Sequence, residues 1–410
     1  MKKIISNVLI VLVLIAITNK GLEIWIKSNF QAKINSNPDR AYNITYSEID
    51  LDFSFDGITL KKVAIEPLNH KKGRRVKGHV EYATINGLGL RNLLFSKTLD
   101  IDKIIFKQPS FEVTLNLKDE PIPNDKLIKM ANEYDGFIST GFDKIGEEFF
   151  KDLNGKLKII AQVGVGYDNI SVKSAESKKI KVTNTPNVLN EAVAETTILL
   201  ILAASRRVGE AYNLVRSGTW KDQKPDLTKF MIGNSVTGKT LGIIGMGRIG
   251  RMTAKCAKAF GMKIIYYNRN KLSEDLEDGA KYFSDVKSMM PECDFVSIHT
   301  PATAETKHIL NALTISLLPK HAVVINTSRG STIDDDALID ALQNNKIYAA
   351  GLDVFNNEPN LDQRYIKLDN CFVLPHVGSA THETRLAMSM MAVDNIFCFF
   401  ENKPLISEVV

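Results

Sequence analysis

Three polar residues follow apolar runs in this chain, and their types fit one reaction. Arg329 comes shortly after Ala322-Val323-Val324-Ile325, Glu358 after Gly351-Leu352-Asp353-Val354-Phe355, and His376 after Cys371-Phe372-Val373-Leu374-Pro375. Imidazole titrates nearer the working pH than any other side chain, so His376 is the candidate proton donor. Glu358 is the candidate carboxylate to bond the second ring nitrogen and keep the ring protonated. Arg329 offers a fixed bidentate cation that can hold a carboxylate and polarise a neighbouring carbonyl. Taken singly, each has a plain reading, a loop histidine and two surface charges. In this order, each after an apolar strand, they read as a set for protonating the oxygen of a 2-keto acid as it is reduced.

Reduction also needs a hydride donor. Thr240-Leu241-Gly242-Ile243-Ile244 runs into Gly245-Met246-Gly247-Arg248-Ile249-Gly250, and residues 251–260 carry helical spacing. A strand entering Gly-x-Gly-x-x-Gly and leaving as a helix is a dinucleotide site. Gly245 makes the tight turn, Gly247 lets backbone approach the pyrophosphate, Gly250 lets helix and strand pack, and Arg248 and Ile249 open the helix beside the anion. The next strand ends at Asn268-Arg269-Asn270-Lys271. With no carboxylate at Asn268 to repel a 2′-phosphate and with cations at Arg269 and Lys271, NADP(H) is expected over NAD(H); a solvated basic turn is the plain alternative. Upstream, Val163-Gly164-Val165-Gly166 offers the amides of Gly164 and Val165 to a small carboxylate, unless it is an ordinary turn.

These residues need a scaffold. From about residue 120 strand and helix signals alternate, the sign of a parallel α/β fold. A helix is expected over 125–134, strands over 136–140 and 156–162, one long bridging helix over 190–217, and a closing helix over 387–401. The chain has 410 residues, enough for two or three domains, and its net charge of +5 is small and scattered, which argues against nucleic acid. Cys256, Cys293, Cys371 and Cys398 lack metal-ligand spacing and read as reduced thiols, and no metal site is expected.

The first hundred residues differ. Lys2 and Lys3 precede an apolar stretch over 4–17. At about 1.5 Å per helical residue it spans roughly 20 Å against a hydrocarbon core of about 30 Å. Leu22, Ile24, Trp25 and Ile26 can extend it, and no small-x-small cleavage site comes after it. Residues 1–26 therefore read as a membrane anchor ahead of a signal peptide or a buried helix. Alternating runs over 49–55, 58–60, 63–65, 80–85, 101–106 and 111–117 predict half-buried antiparallel strands.

This opening, with Asp56-Gly57-Ile58-Thr59-Leu60-Lys61-Lys62-Val63 and Ile101-Asp102-Lys103-Ile104-Ile105-Phe106-Lys107-Gln108-Pro109, resembles the start of AsmA-like envelope proteins, which are anchored, β-rich and lipid-handling. Residues 111–410 resemble the D-isomer-specific 2-hydroxyacid dehydrogenases, in the glyoxylate and hydroxypyruvate reductase branch. The matching runs are Val163-Gly164-Val165-Gly166-Tyr167-Asp168-Asn169-Ile170, Val182-Thr183-Asn184-Thr185-Pro186, the glycine fingerprint, His299-Thr300-Pro301, Asn326-Thr327-Ser328-Arg329-Gly330, Gly351-Leu352-Asp353-Val354-Phe355 through Glu358-Pro359, and Leu374-Pro375-His376-Val377-Gly378-Ser379.

The resemblance implies a Rossmann NAD(P)-binding domain over 213–380 and a flavodoxin-like substrate domain over 111–212, completed by 381–410. It gives Arg329, Glu358 and His376 the roles already argued. It also places Asp353 against the nicotinamide carboxamide and Thr300, Pro301, Thr327 and Gly378 along the cofactor. Dimers are usual in the family. The activity implied is reduction of glyoxylate or hydroxypyruvate to the D-2-hydroxy acid; the alternatives are a phosphoglycerate-type dehydrogenase, or an envelope protein with a nonfunctional dehydrogenase half.

The chain departs from that pattern at the start of the substrate domain, where a first strand and helix are missing. Residues 111–117 are the candidate second strand, and 101–106 the candidate to fill the gap. An anchor of this type would also export the rest of the chain, whereas NADPH is cytoplasmic and the dehydrogenase part is expected there. Both oddities are accounted for together if two sequences are joined near residue 110.

Overall fold

The computed structural model describes residues 30–31, 42–51, 57–67, 78–86, 103–107, 112–114, 122–223 and 226–410. The expected anchor over 1–26 lies outside them; among the described residues, no helix is long and apolar enough to cross a membrane. The chain divides into two compact units, with the boundary between Pro121 and Ile122.

The first unit holds a six-stranded antiparallel sheet of β1 (Tyr42–Thr45), β2 (Glu48–Leu51), β3 (Gly57–Pro67), β4 (Gly78–Asn86), β5 (Lys103–Lys107) and β6 (Glu112–Thr114). Its order is β1-β3-β4-β5-β6, with β2 on the other half of the β3 edge that β1 pairs. The two strands expected over 58–60 and 63–65 are one. Lys61 faces Tyr82 and Val63 faces Val80 in one unbroken register, with Lys62 at φ 47° between them.

Two expectations are corrected here. Residues 103–107 do not fill a gap in the substrate domain, because they hydrogen-bond to β4 on one side and β6 on the other. Glu112–Thr114 likewise belongs to this sheet and is not the second strand of the next domain. Only residues 108–111 separate β5 from β6 in sequence, and so short a connection joins antiparallel rather than parallel strands.

The second unit begins with a small lobe. The helix Asn124–Ala131, β7 (Gly136–Thr140), the helix Glu147–Lys151, β8 (Ile159–Val163), the helix Val172–Ser177 and β9 (Lys181–Thr183) alternate, and the strands form a parallel sheet of order β7-β8-β9. Among the described residues, β7 pairs on one side only. The other edge is finished by the end of the chain. Val182 N–H donates to Val410 O at 3.0 Å, Val409 N–H to Val182 O at 2.8 Å, and Asn184 N–H to Ser407 O at 3.2 Å. Helix His382–Phe400 packs on β8, and Leu127, Phe149, Phe150, Leu157, Ile160 and Val182 fill the core beneath.

The bridge expected over 190–217 is two helices, Asn190–Ser205 and Val208–Arg216. The break has a local and a distant cause: Arg207 adopts φ 54° with its guanidinium on Glu210, and Ser205 O accepts from Asn234 N–H at 2.8 Å instead of continuing the helical ladder. The first helix packs on the second lobe, a parallel sheet of order β12-β11-β10-β13-β14-β15-β16. Its strands are β10 (Thr240–Ile244), β11 (Lys263–Tyr267), β12 (Lys281–Phe283), β13 (Phe295–Ile298), β14 (Val323–Asn326), β15 (Ala349–Leu352) and β16 (Cys371–Val373). β13, β14 and β15 are buried throughout, as parallel strands covered on both faces must be. This is the Rossmann-type lobe expected from the fingerprint.

Candidate active site

The chain winds outward from β10 through β11 to β12, then returns to lay β13 on the other side of β10. A doubly wound sheet opens a crevice at such a reversal, beyond the carboxyl ends of its strands. The residues singled out in the second lobe leave those ends: Gly245 after β10, Asn268 after β11, Thr300 after β13, Thr327 and Arg329 after β14, Asp353 after β15 and His376 after β16.

The glycine loop fits a dinucleotide. Gly245 sits at φ 97°, and a Cβ there would come within 2.8 Å of the His299 carbonyl carbon. A Cβ on Gly250 would meet Gly245 O at 2.4 Å, whereas nothing lies within 4 Å of one on Gly247, so the helix Arg248–Ala259 opens onto free space. That helix has no side-chain cap and no acidic residue in its first turn, leaving its N-terminal amides and partial positive charge for an anion. Thr300 Oγ1 lies buried beside this loop, without a hydrogen-bond partner among the described residues. Asn268 Oδ1 accepts from Met246 N–H at 2.7 Å, tying the loop to the end of β11. Arg248 and Arg269 are exposed, and Ile249 is half-buried.

His376 Nδ1 lies 2.6 Å from Glu358 Oε2, and Glu358 Oε1 accepts from Phe355 N–H at 2.8 Å. Burial pushes the Glu358 carboxyl up, but its bonds to His376 and Phe355 and the charges of His376 and Arg329 outweigh this and hold it below its ordinary value. It is therefore an anion beside the ring, as an orienting carboxylate must be. His376 adopts φ 54°. Asp353, 1 % exposed, maintains that conformation: its backbone carbonyl accepts from His376 N–H, and its two carboxylate oxygens accept from Val377 N–H at 2.8 Å and Gly378 N–H at 2.7 Å. Burial raises the Asp353 carboxyl above its usual value, against those two bonds. The cofactor-lining roles expected for Asp353 and Gly378 are thus accompanied by another, since both spend their polar groups on each other and hold the histidine loop.

Arg329 is set by Asn326, which the sequence reasoning missed. This buried amide donates to Arg329 O at 2.9 Å and accepts from Ser328 N–H at 3.0 Å. Thr327 Oγ1 lies 3.0 Å from Thr197 Oγ1 on the helix Asn190–Ser205. Gly330 is required because a Cβ there would fall 2.0 Å from the Phe355 carbonyl carbon; this contact brings the arginine loop against the glutamate turn.

Across from these, the end of β8 and the loop after it present Val163, Gly164 and Val165. Gly164 N–H donates to Gln162 O at 3.1 Å, so the expectation of two free amides is corrected to one. Among the described residues no acceptor meets the Val165 amide. Gln162 was also missed. Its Oε1 accepts from Ser139 Oγ at 2.6 Å and its Nε2 donates to Asn169 Oδ1 at 3.1 Å, and a glutamine within an otherwise apolar strand is the only signal of this the sequence carries. Among the described residues no cluster of three or more His, Cys, Asp or Glu could hold a metal.

Comparison with known proteins agrees with this geometry. Residues 198–378 match the model of the D-isomer specific 2-hydroxyacid dehydrogenase NAD binding domain. The chain is 42% identical over 290 residues to the glyoxylate reductase of Thermococcus litoralis, covering 70% of this chain and 87% of that one. The chain belongs to the D-isomer-specific 2-hydroxyacid dehydrogenase family. To the glyoxylate reductase of Aeropyrum pernix it is 43% identical over 296 residues, covering 72% and 88% of the two chains. Among solved structures, an NADPH-dependent glyoxylate/hydroxypyruvate reductase from Sinorhizobium meliloti in complex with NADP and malonate superposes with a TM-score of 0.63 at 37% identity, covering 68% of this chain and 85% of that one. As a member of this family, the protein is an NAD(P)-dependent dehydrogenase acting on small keto or hydroxy acids.

Proposed function

We propose that the protein reduces glyoxylate or hydroxypyruvate with NADPH. The observation that carries this reading is the His376–Glu358 pair at 2.6 Å, set beside the Arg329 loop at the carboxyl edge of a dinucleotide-binding sheet. The nicotinamide, when bound, supplies the hydride. Arg329, with the Val165 amide opposite, holds the substrate carboxylate and draws charge toward the carbonyl oxygen. The Glu358 anion fixes the imidazole through Nδ1, so that Nε2 carries the proton to that oxygen as negative charge builds on it. Water re-protonates the ring between turnovers.

The activities of the Thermococcus, Aeropyrum and Sinorhizobium proteins support the substrate class. The preference for NADPH is supported by Asn268. With Oδ1 spent on Met246 N–H, its amide nitrogen is the group left to face the ribose, and a donor suits a 2′-phosphate where a carboxylate would repel it. Arg248, Ile249, Arg269, Thr300, Pro301 and Thr327 line the cofactor in this reading. We also read the protein as a homodimer. Tyr212, Val215, Trp220, Leu227 and Ile232 are exposed apolar residues along one segment, more than an isolated surface would leave in water. NADPH supply places the reductase part in the cytoplasm.

The test is NADPH oxidation by the full-length protein with glyoxylate or hydroxypyruvate, alongside direct NADPH binding and the variant His376→Ala. The expected result is turnover that disappears in the variant while NADPH still binds. NADPH binding without turnover by the unaltered protein would overturn the reading.

A further inference from the structure

Arg329 Nε donates to Asp168 Oδ1 at 2.8 Å, a contact between the loop after β14 in the second lobe and the loop after β8 in the first. Nη1 donates to Ser328 O at 2.9 Å. The guanidinium lies over Gly166, where a Cβ would fall 1.7 Å from Nη2. Among the described residues two of its five N–H groups are committed, and three remain for a ligand.

The loop bearing Asp168 is tied down at successive carbonyls. Gly164 O accepts from Thr185 N–H at 2.9 Å, Val165 O from Asn184 Nδ2 at 2.9 Å, Gly166 O from Gln162 Nε2 at 3.4 Å and Tyr167 O from Ile170 N–H at 2.9 Å. Stability does not account for the contact, because the side chains are 30% and 45% exposed, and a pair of that exposure is worth about 0–1 kcal/mol. What it does is hold still a long side chain whose free rotamers would cost entropy each time a carboxylate bound.

We propose that Asp168 is the positioning residue for Arg329: it takes the Nε–H across the interlobe cleft and so turns the remaining N–H groups toward the substrate carboxylate, with Gly166 supplying the clearance. The inference rests on the substrate-binding role given to Arg329 above. It fixes the sign of the Asp168 effect. If the aspartate acted only as a nearby negative charge, removing it would tighten substrate binding; if it positions the arginine, removing it weakens binding.

The experiment compares Asp168→Asn, Asp168→Glu, Gly166→Ala, Arg329→Ala and Asp168→Asn with Arg329→Ala, by steady-state kinetics on glyoxylate with NADPH, NADPH titration and thermal unfolding. The expected result for Asp168→Asn is a rise in KM of about tenfold with a fall in kcat, at unchanged NADPH affinity and Tm. Asp168→Glu, still an anion on a half-exposed site, recovers most of the loss. Gly166→Ala raises KM similarly. Adding Asp168→Asn to Arg329→Ala costs nothing further, because the aspartate acts through the arginine. An unchanged or lower KM in Asp168→Asn, or an equal loss from Asp168→Asn with Arg329 absent, would overturn the proposal. Full activity in Arg329→Ala would instead overturn the functional reading beneath it.

Discussion

Nδ1 of His376 and Oε2 of Glu358 meet at 2.6 Å although they leave different strands of the sheet, and this contact decides which ring nitrogen can serve the substrate. Removing the donor outright in His376→Ala should lower kcat/KM for glyoxylate reduction by about 10²–10⁴, the usual worth of a positioned proton donor. Glu358→Gln keeps the shape but loses the anion, and should lower kcat while leaving NADPH affinity unchanged. Stopped-flow single turnovers together with NADPH titration separate the two effects.

The same glutamate makes stability depend on pH. Its folded-state pKa lies below the ordinary value of 4.5. Just below that ordinary value the unfolded chain therefore binds the proton more readily than the folded one. The stabilisation is whole above about 4.5 and is lost as pH falls through the folded value. The Tm difference between the unaltered protein and Glu358→Gln should shrink on acidification through this window; a constant difference would count against the assignment.

Asp353→Asn should damage catalysis through the backbone. The carboxylate accepts from two amides, at 2.8 and 2.7 Å, and an asparagine must turn its NH2 toward one of them. One buried donor left unpaired costs about 1–3 kcal/mol, so a lower Tm should accompany the fall in kcat.

Asn268→Asp should move the cofactor choice. A carboxylate can keep the bond to Met246 N–H but repels a 2′-phosphate and accepts from ribose hydroxyls. The ratio of kcat/KM for NADPH to that for NADH should fall about tenfold, or 1.4 kcal/mol.

Asn395, buried in the closing helix, receives the tail. It accepts from Ile406 N–H at 2.9 Å and Ser407 N–H at 3.3 Å and donates to Ser407 Oγ at 3.0 Å and Met391 O at 2.9 Å. Asn395→Ala should destabilise by about 2–4 kcal/mol, since several buried partners are orphaned at once. Hydrogen exchange should quicken first at the Val182 and Val409 amides, which pair across the tail.

Much of the fold was legible because it is local. The glycine loop, the strands before Arg329, Asp353 and His376, and the closing helix all come from short runs whose spacing specifies one conformation. What was hidden depends on residues far apart in sequence. Nothing near Asp168 announces Arg329, and nothing near Asn326 says that its amide will hold the loop beyond it. The break at Arg207 needs Asn234, which captures the helix end from a distance. Short alternating runs also misled: 101–106 and 111–117 have strand patterning, but patterning does not say which sheet a strand will join.

The small lobe is built from residues on both sides of the large one, since β7, β8 and β9 come before the dinucleotide-binding sheet and the helix and tail that cover and edge them come after it. During synthesis the large lobe can therefore fold from contiguous chain, while the small lobe waits with Phe149, Leu157 and Val182 uncovered until Val409 and Val410 arrive. On the ribosome the cofactor-binding half matures first. The other half depends on contacts between residues more than two hundred positions apart, which makes it the part that needs protection from aggregation while the chain is being made.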